Sequence, residues 1–210
     1  MSVANRIANR AIRNLGAAGA GRPVGFPALE TVLLLVGTQQ DFEHQHAARG
    51  RTADLARAAR RAGLTVVYST SAQPTPENGV RHPTPSQREL LARDALRPGA
   101  QGAAVHPDLA PIPEDIVMAP NAGVSAFAGG ALAARLSSLG ACRVVIAGAR
   151  TDVEVDSTAR DSVELGFQTT VVADCCSGTS VAGHTSSLST TLPRVVHRIC
   201  SLDALQGRLG

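Results

Sequence analysis

The sequence contains no lysine and no tryptophan, and aromatic residues make up only 2% of its 210 positions. Without lysine, the chain has no amine side chain for a general base, a Schiff base or the stabilisation of a negative charge. With so few aromatic rings, a core must be built from leucine, valine, isoleucine and alanine. The hydrophobic fraction of 44% is sufficient for one α/β domain of this length.

Long apolar runs are also absent. The longest contain about seven residues, whereas a membrane-spanning helix needs roughly 20, so no membrane partner is expected. The net charge is only +3, and the arginines are scattered without neighbouring aromatic rings on which bases could stack. The composition therefore argues against nucleic acid as a partner.

A secretory leader and a cysteine framework are missing as well. Residues 1–20 have arginines spread through them and no apolar segment of the kind that a signal peptide requires. Cys142, Cys175, Cys176 and Cys200 lack metal-ligand spacing, and an adjacent pair is a poor basis for disulfides. A reducing cytoplasm is the expected location.

The chain divides into two parts by pattern. Residues 1–28 carry apolar positions at helical spacing between residues 3 and 15, followed by a glycine-rich connector. This segment is either a simple extension or a helix that packs against a second subunit. Residues 29–210 form the predicted domain.

Apolar runs and amphipathic segments alternate through this domain. Strands are predicted at residues 31–36, 64–70, 114–119, 143–148, 168–174 and 194–200, and helices at 52–63, 86–96, 129–140, 151–165, 180–192 and 202–209. Continuous apolar strands indicate a six-stranded parallel sheet in a Rossmann-like, three-layer α/β/α fold. Ligands of such sheets bind beyond the carboxyl ends of the strands. No GxGxxG or P-loop follows the first strand, so no cofactor is expected.

Four segments near the predicted strand ends match a known family in the correct order. They are "TVLLLVGTQQDF", "RPGAQGAAVHPDLAP", "NAGVSAF" and "IAGARTDVEVDSTARD". These segments resemble the isochorismatase-like (cysteine hydrolase) superfamily, whose patterns are D-x-Q-x-D-F, P-G-T-x-G-x-x-x-x-P-x-L, K-x-x-x-S-A-F and G-x-x-T-x-x-C-V-x-x-T-A-x-D. The resemblance covers about residues 30–200. It implies the isochorismatase-like fold and assembly into dimers or larger homo-oligomers.

The resemblance also locates the family's three functional side chains. In that family an aspartate acts as a base and a lysine stabilises charge, while a cysteine attacks a carbonyl from a helix start, where the dipole favours thiolate. The matching positions here are Gly37, Asn121 and Glu154. Cysteine-dependent amide hydrolysis and the family's enol-ether hydrolysis are therefore not expected.

The same resemblance implies a pocket at the strand ends. Its expected lining is Gly37, Gln39, Phe42, Asn121, Ser125, Phe127, Ala149 and Asp152. A cis peptide bond between Ala149 and Arg150 is also implied, which would turn backbone N–H groups toward an oxyanion. Asp41 is predicted to cap the turn that follows it.

Glu154 carries the main functional hypothesis. A helix start and Arg150, four residues earlier, favour the ionised carboxylate while burial opposes it, and both Glu154 and Asp152 are predicted to be ionised at neutral pH. Three interpretations stay open. Glu154 forms a structural ion pair in an inactive scaffold or regulatory subunit; or it performs non-hydrolytic acid–base chemistry with Arg150, as in a biosynthetic pathway; or hydrolysis uses Cys175 or Cys176.

The leading prediction is that the pocket binds a small carbonyl or carboxylate compound. An open, polar-lined cavity around Glu154 and Arg150 would favour a ligand-binding role, and a cavity filled by apolar side chains would favour a scaffold. A metal could bind Glu43, His44 and His46, but the segment after the second strand has no histidine or aspartate, so a surface turn and no metal site are expected. His197 is predicted to be structural, inside the sixth strand.

Overall fold

The computed structural model describes residues 25–42 and 46–209, without the side chains of His46 and Ala47. The predicted helix at residues 3–15 and its connector lie outside the described residues. The strands are β1 Thr31–Val36, β2 Thr65–Ser69, β3 Ile116–Val117, β4 Arg143–Ala149, β5 Gln168–Ser177 and β6 Arg198–Cys200. All neighbouring strands pair in parallel, in the order β3-β2-β1-β4-β5-β6, which confirms the six-stranded parallel sheet.

The central strand shows why the apolar runs form this sheet. All six residues of β1 are buried, so both of its faces are covered, as a strand without polar alternation requires. The covering helices are α1 His46–Arg61, α2 Pro85–Ala92, α3 Ala131–Ser138, α4 Asp156–Glu164, α5 Val181–Ser186 and α6 Leu202–Gln206. Within the described residues, no helix has both the length and the apolar character needed to cross a membrane.

Two predicted helices begin or end differently from their pattern. The segment predicted as a helix at 151–165 opens with a wide π-turn, Thr151–Val155, before the regular helix α4. The segment predicted at 180–192 contains α5, a second π-turn at Ser187–Thr191 and a 3₁₀ turn at Leu192–Arg194.

The two edge strands are shorter than predicted. β6 starts at Arg198, so the placement of His197 inside that strand is wrong. The 3₁₀ turn includes Arg194, and the N–H groups of Val195 and Val196 both donate to Leu192 O, so strand pairing begins only after them. His197 is nevertheless fixed in the structure, because its Nδ1 accepts from Thr169 N at 3.1 Å and its own N–H donates to Thr169 O.

A small apolar cluster separate from the main core lies at the carboxyl ends of the strands. It consists of Phe42, Leu90, Ala95, Leu96 and Ala149. Asp41 helps to position this cluster, because its Oδ2 accepts a hydrogen bond from Leu96 N at 2.5 Å. The residues directly after Phe42, where Asp41 is predicted to cap a turn, lie outside the described residues. The cluster therefore fixes the loop after β1 against α2 and against the end of β4.

Candidate functional site

The site begins where β4 gives way to the π-turn. Arg150 has a left-handed backbone, with φ 55° and ψ 63°, and this conformation turns the chain from the strand into the helix. Within residues 25–42 and 46–209 every peptide bond is trans. The cis bond implied between Ala149 and Arg150 is therefore wrong.

Glu154 is buried inside the π-turn, with 5% of its surface exposed. Its Oε1 lies 3.1 Å from Arg150 Nη1, and its Oε2 has no hydrogen-bond partner among the described residues. Burial raises the pKa of Glu154 to about 7, because the positive charge of Arg150 only partly offsets the loss of water. The prediction of a fully ionised Glu154 is therefore wrong, and both protonation states are populated at neutral pH.

Arg150 is held from three sides. Besides the ion pair with Glu154, its Nη2 donates to Ser86 Oγ at the start of α2, and its guanidinium lies over the ring of Phe42, 5.9 Å from the ring centre. The residue is buried, with 8% of its surface exposed. A charged group held by an anion, a hydroxyl and a ring face has a defined position.

A cavity of about 90 Å³ opens on the other side of Arg150. Its lining residues are Phe42, Glu89, Leu90, Arg93, Arg150, Gly178 and Thr179. Glu154 contacts Arg150 but is not among the residues that line this cavity. Polar and charged groups therefore face the cavity beside two apolar walls, Phe42 and Leu90.

Helix α2 supplies the part of this site that sequence reasoning missed. Glu89 and Arg93 are four residues apart, so they lie on one face of the helix end, and Leu90 is buried beside them. The helix is anchored at its start, because Thr84 accepts a hydrogen bond from Gln87 N and Pro85 occupies the first turn. The spacing of Glu89 and Arg93 is the feature of the sequence that could have indicated this part of the site.

Three of the predicted pocket residues meet at the base of the site. Gly37 has a left-handed backbone with φ 58°, and a Cβ built on it would lie 3.0 Å from Ala149 Cβ and 3.5 Å from Phe42 Cε2. A methyl group at this point would require Ala149 to move by a few tenths of an ångström, and the left-handed backbone is itself unfavourable for residues other than glycine.

Two other predicted pocket residues, Gln39 and Asn121, use their side chains to hydrogen-bond backbone groups of loops. Gln39 Nε2 donates to Ser71 O and Ala103 O, both at 2.8 Å, and Gln39 Oε1 accepts from Ser71 N at 2.6 Å. Asn121 Oδ1 accepts from Gly123 N at 2.9 Å, within its own turn. Both residues join the loops after the strands, and neither lines the cavity beside Arg150.

Ser125 and Phe127 are also placed differently from the prediction. Ser125 Oγ accepts from Phe127 N at 3.2 Å, and the Phe127 ring stacks on Phe167 in the main core with ring centres 6.0 Å apart. Asp152 supports the cavity wall indirectly, because it accepts hydrogen bonds from Thr179 N, at 2.8 Å, and from Thr179 Oγ1.

A second, smaller cavity of about 20 Å³ lies on the far side of the Phe42 ring. Thr38 and Ser177 line it, and their hydroxyl oxygens are buried without a hydrogen-bond partner among the described residues. The volume is sufficient for about one water molecule. Phe42 contacts both cavities and separates them.

The cysteines at the end of β5 do not offer a nucleophile. Cys175 and Cys176 are buried, and burial raises the pKa of Cys176 to about 12 and that of Cys175 still further. Both are therefore neutral thiols at physiological pH. In the described part of the chain no three histidine, cysteine or acidic residues converge as metal ligands. Glu43 and His44 lie outside the described residues, as does the side chain of His46.

Comparisons with known proteins agree on one family. A family model described as an isochorismatase domain matches residues 31–201. The isochorismatase family protein YecD of Escherichia coli O157:H7 is 34% identical over 84 residues, which are 40% of this chain and 44% of that relative. The matched segment thus spans less than half of the relative's length.

Solved structures resemble the whole domain. A cysteine hydrolase from Pseudomonas syringae pv. phaseolicola 1448A superposes with a TM-score of 0.77 at 19% identity, covering 90% of this chain and 98% of its own. An isochorismatase family protein from Burkholderia thailandensis gives 0.74 at 23% identity, with 89% and 98% covered. A pyrazinamidase of Pyrococcus horikoshii, in complex with zinc, gives 0.65 at 20% identity, with 82% and 99% covered. At these identities the likeness is one of fold.

Proposed function

This chain belongs to the isochorismatase family, and we propose that it binds a small carboxylate compound in the cavity lined by Arg150 and Arg93 without using the family's cysteine chemistry. The observation that carries the proposal is the position of Arg150. Its guanidinium is buried, held in place and exposed to a cavity on one side. A planar guanidinium matches the two oxygens of a carboxylate, and such charge-assisted hydrogen bonds are about twice as strong as neutral ones.

The remaining cavity walls support a small ligand with an apolar body. Phe42 and Leu90 offer apolar contact, Thr179 offers a hydroxyl, and Arg93 adds a second positive charge at the mouth. The volume of about 90 Å³ favours compounds of the size of a keto acid or an aromatic acid. A scaffold that had lost its ligand would not need an open cavity with charged walls.

The absence of the family's usual groups supports a change of chemistry. At the positions where the resemblance places the aspartate and the lysine, Gly37 has no side chain and Asn121 is engaged in its own turn. At the position of the cysteine, Glu154 pairs with Arg150. The thiols of Cys175 and Cys176 stay protonated, which argues against a hydrolase with a relocated nucleophile.

Acid–base catalysis through Glu154 is the second candidate. A carboxyl group with a pKa of about 7 can both donate and accept a proton at neutral pH, as a general acid or base must. Glu154 is separated from the cavity by Arg150, however, so a substrate would have to displace that guanidinium to reach Oε2. Binding is therefore the primary role, and proton transfer depends on a movement of Arg150.

The test compares an acid with its neutral analogue. Benzoate and pyruvate should raise the melting temperature and bind in calorimetry, whereas benzamide, similar in shape to benzoate but uncharged, should do neither. Arg93→Gln should weaken benzoate binding by about tenfold, the cost of one charged hydrogen bond. Arg97→Gln, which changes an exposed arginine outside the cavity, is the matched control and should leave binding unchanged. Equal binding of benzoate and benzamide, or of neither, contradicts the proposal.

A further inference from the structure

Glu154 and the proposed ligand compete for one cation. We propose that a carboxylate ligand which binds Arg150 takes over its role as counter-ion, and that Glu154 then takes up a proton from solvent. The inference rests on the proposed function and adds to it that the ligand and a proton bind together. It identifies Glu154 as a positioning residue that regulates the site.

The hydrogen bonds of Arg150 give the geometric reason. Nη1 faces Glu154 Oε1 at 3.1 Å and Nη2 faces Ser86 Oγ, while the guanidinium also borders the cavity. In the free protein one buried cation balances one buried anion. A bound carboxylate adds a second negative charge beside the same cation.

The unpartnered oxygen explains which anion is neutralised. Glu154 Oε2 is out of contact with solvent and has no hydrogen-bond partner among the described residues, so the charge of this carboxylate is poorly stabilised. A ligand at the cavity mouth keeps access to water and to Arg93. Protonation of Glu154 therefore costs less free energy than protonation of the ligand. The pKa of Glu154, about 7 in the free protein, supports this direction.

Charged groups around Glu154 act in the same direction or are already paired. Asp152 on the π-turn and Glu89 on α2 disfavour the Glu154 carboxylate. Nearby charged or titratable groups on the packed elements include His184 on α5, bonded to Thr151; Asp156 on α4, paired with Arg160; and Asp174 on β5, paired with Arg51. Asp161 and Glu164 on α4 are exposed, Arg143 on β4 pairs with Glu30, and Cys175 and Cys176 on β5 are neutral thiols. Burial lowers the pKa of His184, which keeps it neutral. Arg93 opposes the effect, but it is exposed, so water screens its charge.

The exchange balances in charge and protons. The ion pair of Arg150 and ionised Glu154, together with a carboxylate and one proton, becomes Arg150 paired with the carboxylate and Glu154 in its neutral acid form. Near pH 7 about half of the Glu154 side chains already carry the proton, so uptake should be about 0.5 per ligand and should approach one at pH 8. The Kd for the ligand should then rise by up to about tenfold per pH unit above pH 7.

The test is calorimetry of the full-length protein with benzoate at pH 8, in HEPES and in Tris, whose ionisation enthalpies differ. The wild type should take up close to one proton per benzoate. Glu154→Gln, which is neutral at every pH, should bind benzoate without proton uptake and with a Kd independent of pH. Glu164→Gln, on the exposed end of α4, is the matched control and should behave as the wild type.

The outcomes separate this inference from the proposed function. Benzoate binding without proton uptake in the wild type overturns the coupling and leaves the ligand site standing, whereas no binding by any variant overturns both. If Glu154→Gln does not fold, infrared difference spectra of ¹³C-labelled wild type with unlabelled benzoate replace it. A new protonated-carboxyl band on binding supports the coupling, and its absence refutes it.

Discussion

At the scale of one residue, the pKa of Glu154 shows that the effect of burial can be larger than the effect of a nearby positive charge. The ion pair with Arg150 and the backbone of the π-turn favour the ionised form, yet the loss of water around both oxygens raises the pKa of Glu154 to about 7. Ion pairs that leave part of a buried charge unsatisfied commonly have little net stabilising effect. The position of this carboxyl group therefore lowers the stability of the fold at high pH.

The first prediction concerns Glu154→Gln and pH. Because the pKa of Glu154 is raised in the folded state, its stabilising contribution is present below about pH 4.5 and is lost as pH rises through about 7. Between pH 5 and pH 8 the wild type should lose about 2 to 3 kcal/mol of unfolding free energy relative to Glu154→Gln. Urea unfolding at both pH values measures this, with Glu164→Gln as the control. A difference between the two proteins that stays constant with pH would contradict it.

The second prediction concerns thiol reactivity. Cys142 is exposed, whereas Cys175, Cys176 and Cys200 are buried and their thiol pKa values are raised by burial. Iodoacetamide at pH 8 should therefore modify Cys142 in the folded protein and leave the other three unmodified, as mass spectrometry of the intact chain would show. Benzoate binding should survive the treatment. Loss of binding on modification of Cys175 or Cys176 would restore a cysteine-based site.

The residues of the site were only partly predictable. The rule that ligands bind beyond the carboxyl ends of parallel strands points to Arg150, Phe42 and Ala149, because these ends lie at one edge of the sheet. It does not give side-chain direction, and Phe127 accordingly turns into the core. It also omits Glu89 and Arg93, which come from a helix that the topology alone does not place beside β4.

At the scale of elements, β1 and β4 leave no room for a side chain at Gly148. A Cβ on Gly148 would lie 1.9 Å from Val36 O, at the point where the register of β4 with β5 also shifts. Only glycine fits there, because the φ of 136° is also unfavourable for other residues.

The third prediction compares a substitution at Gly148, where β1 and β4 lie close together, with one at Gly50, a glycine within a helix. Gly148→Ala should destabilise the protein by about 3 kcal/mol or more, since the strands must separate to admit a methyl group. Gly50→Ala, in α1 with open space around its Cβ, should instead stabilise it by about 0.5 to 1 kcal/mol. Chemical unfolding measures the change in unfolding free energy, which should be negative for Gly148→Ala and positive for Gly50→Ala. Similar effects from both would show that β1 and β4 are not in close contact.

The elements themselves were largely predictable. Continuous apolar runs predicted the six strands, and their parallel pairing is confirmed. The π-turn at Thr151–Val155 was not predictable, because it arises from the left-handed Arg150 and from the pairing of Arg150 with Glu154 rather than from apolar spacing.

At the scale of the whole molecule, one main core includes residues from five of the six strands, and Ile116 of β3 packs against it. Tyr68 is the single tyrosine, it is fully buried in this core, and the chain has no tryptophan. Arg60 donates a hydrogen bond to its hydroxyl at 3.0 Å. The fluorescence of the protein therefore reports on one buried position on β2.

The fourth prediction follows from that single probe. Tyrosine fluorescence and far-ultraviolet circular dichroism should give coincident urea transitions, because one core unfolds as a unit. Tyr68→Phe, which keeps the ring and leaves Arg60 paired with Asp115, identifies the fluorescence signal. A fluorescence transition at lower urea than the dichroism transition would indicate that β2 and the helices unfold separately.

The fifth prediction concerns assembly. The family resemblance implies dimers or larger homo-oligomers, and sedimentation velocity should accordingly give a mass that is a multiple of 21.6 kDa. A mass of one chain across the micromolar range would refute it.

The crowding at Gly37 has an evolutionary consequence. A larger residue there would need a left-handed backbone and would place its Cβ 3.0 Å from Ala149 Cβ, so Ala149 would have to shift to admit it. A substitution at position 37 is therefore more readily accepted together with a second change nearby than alone.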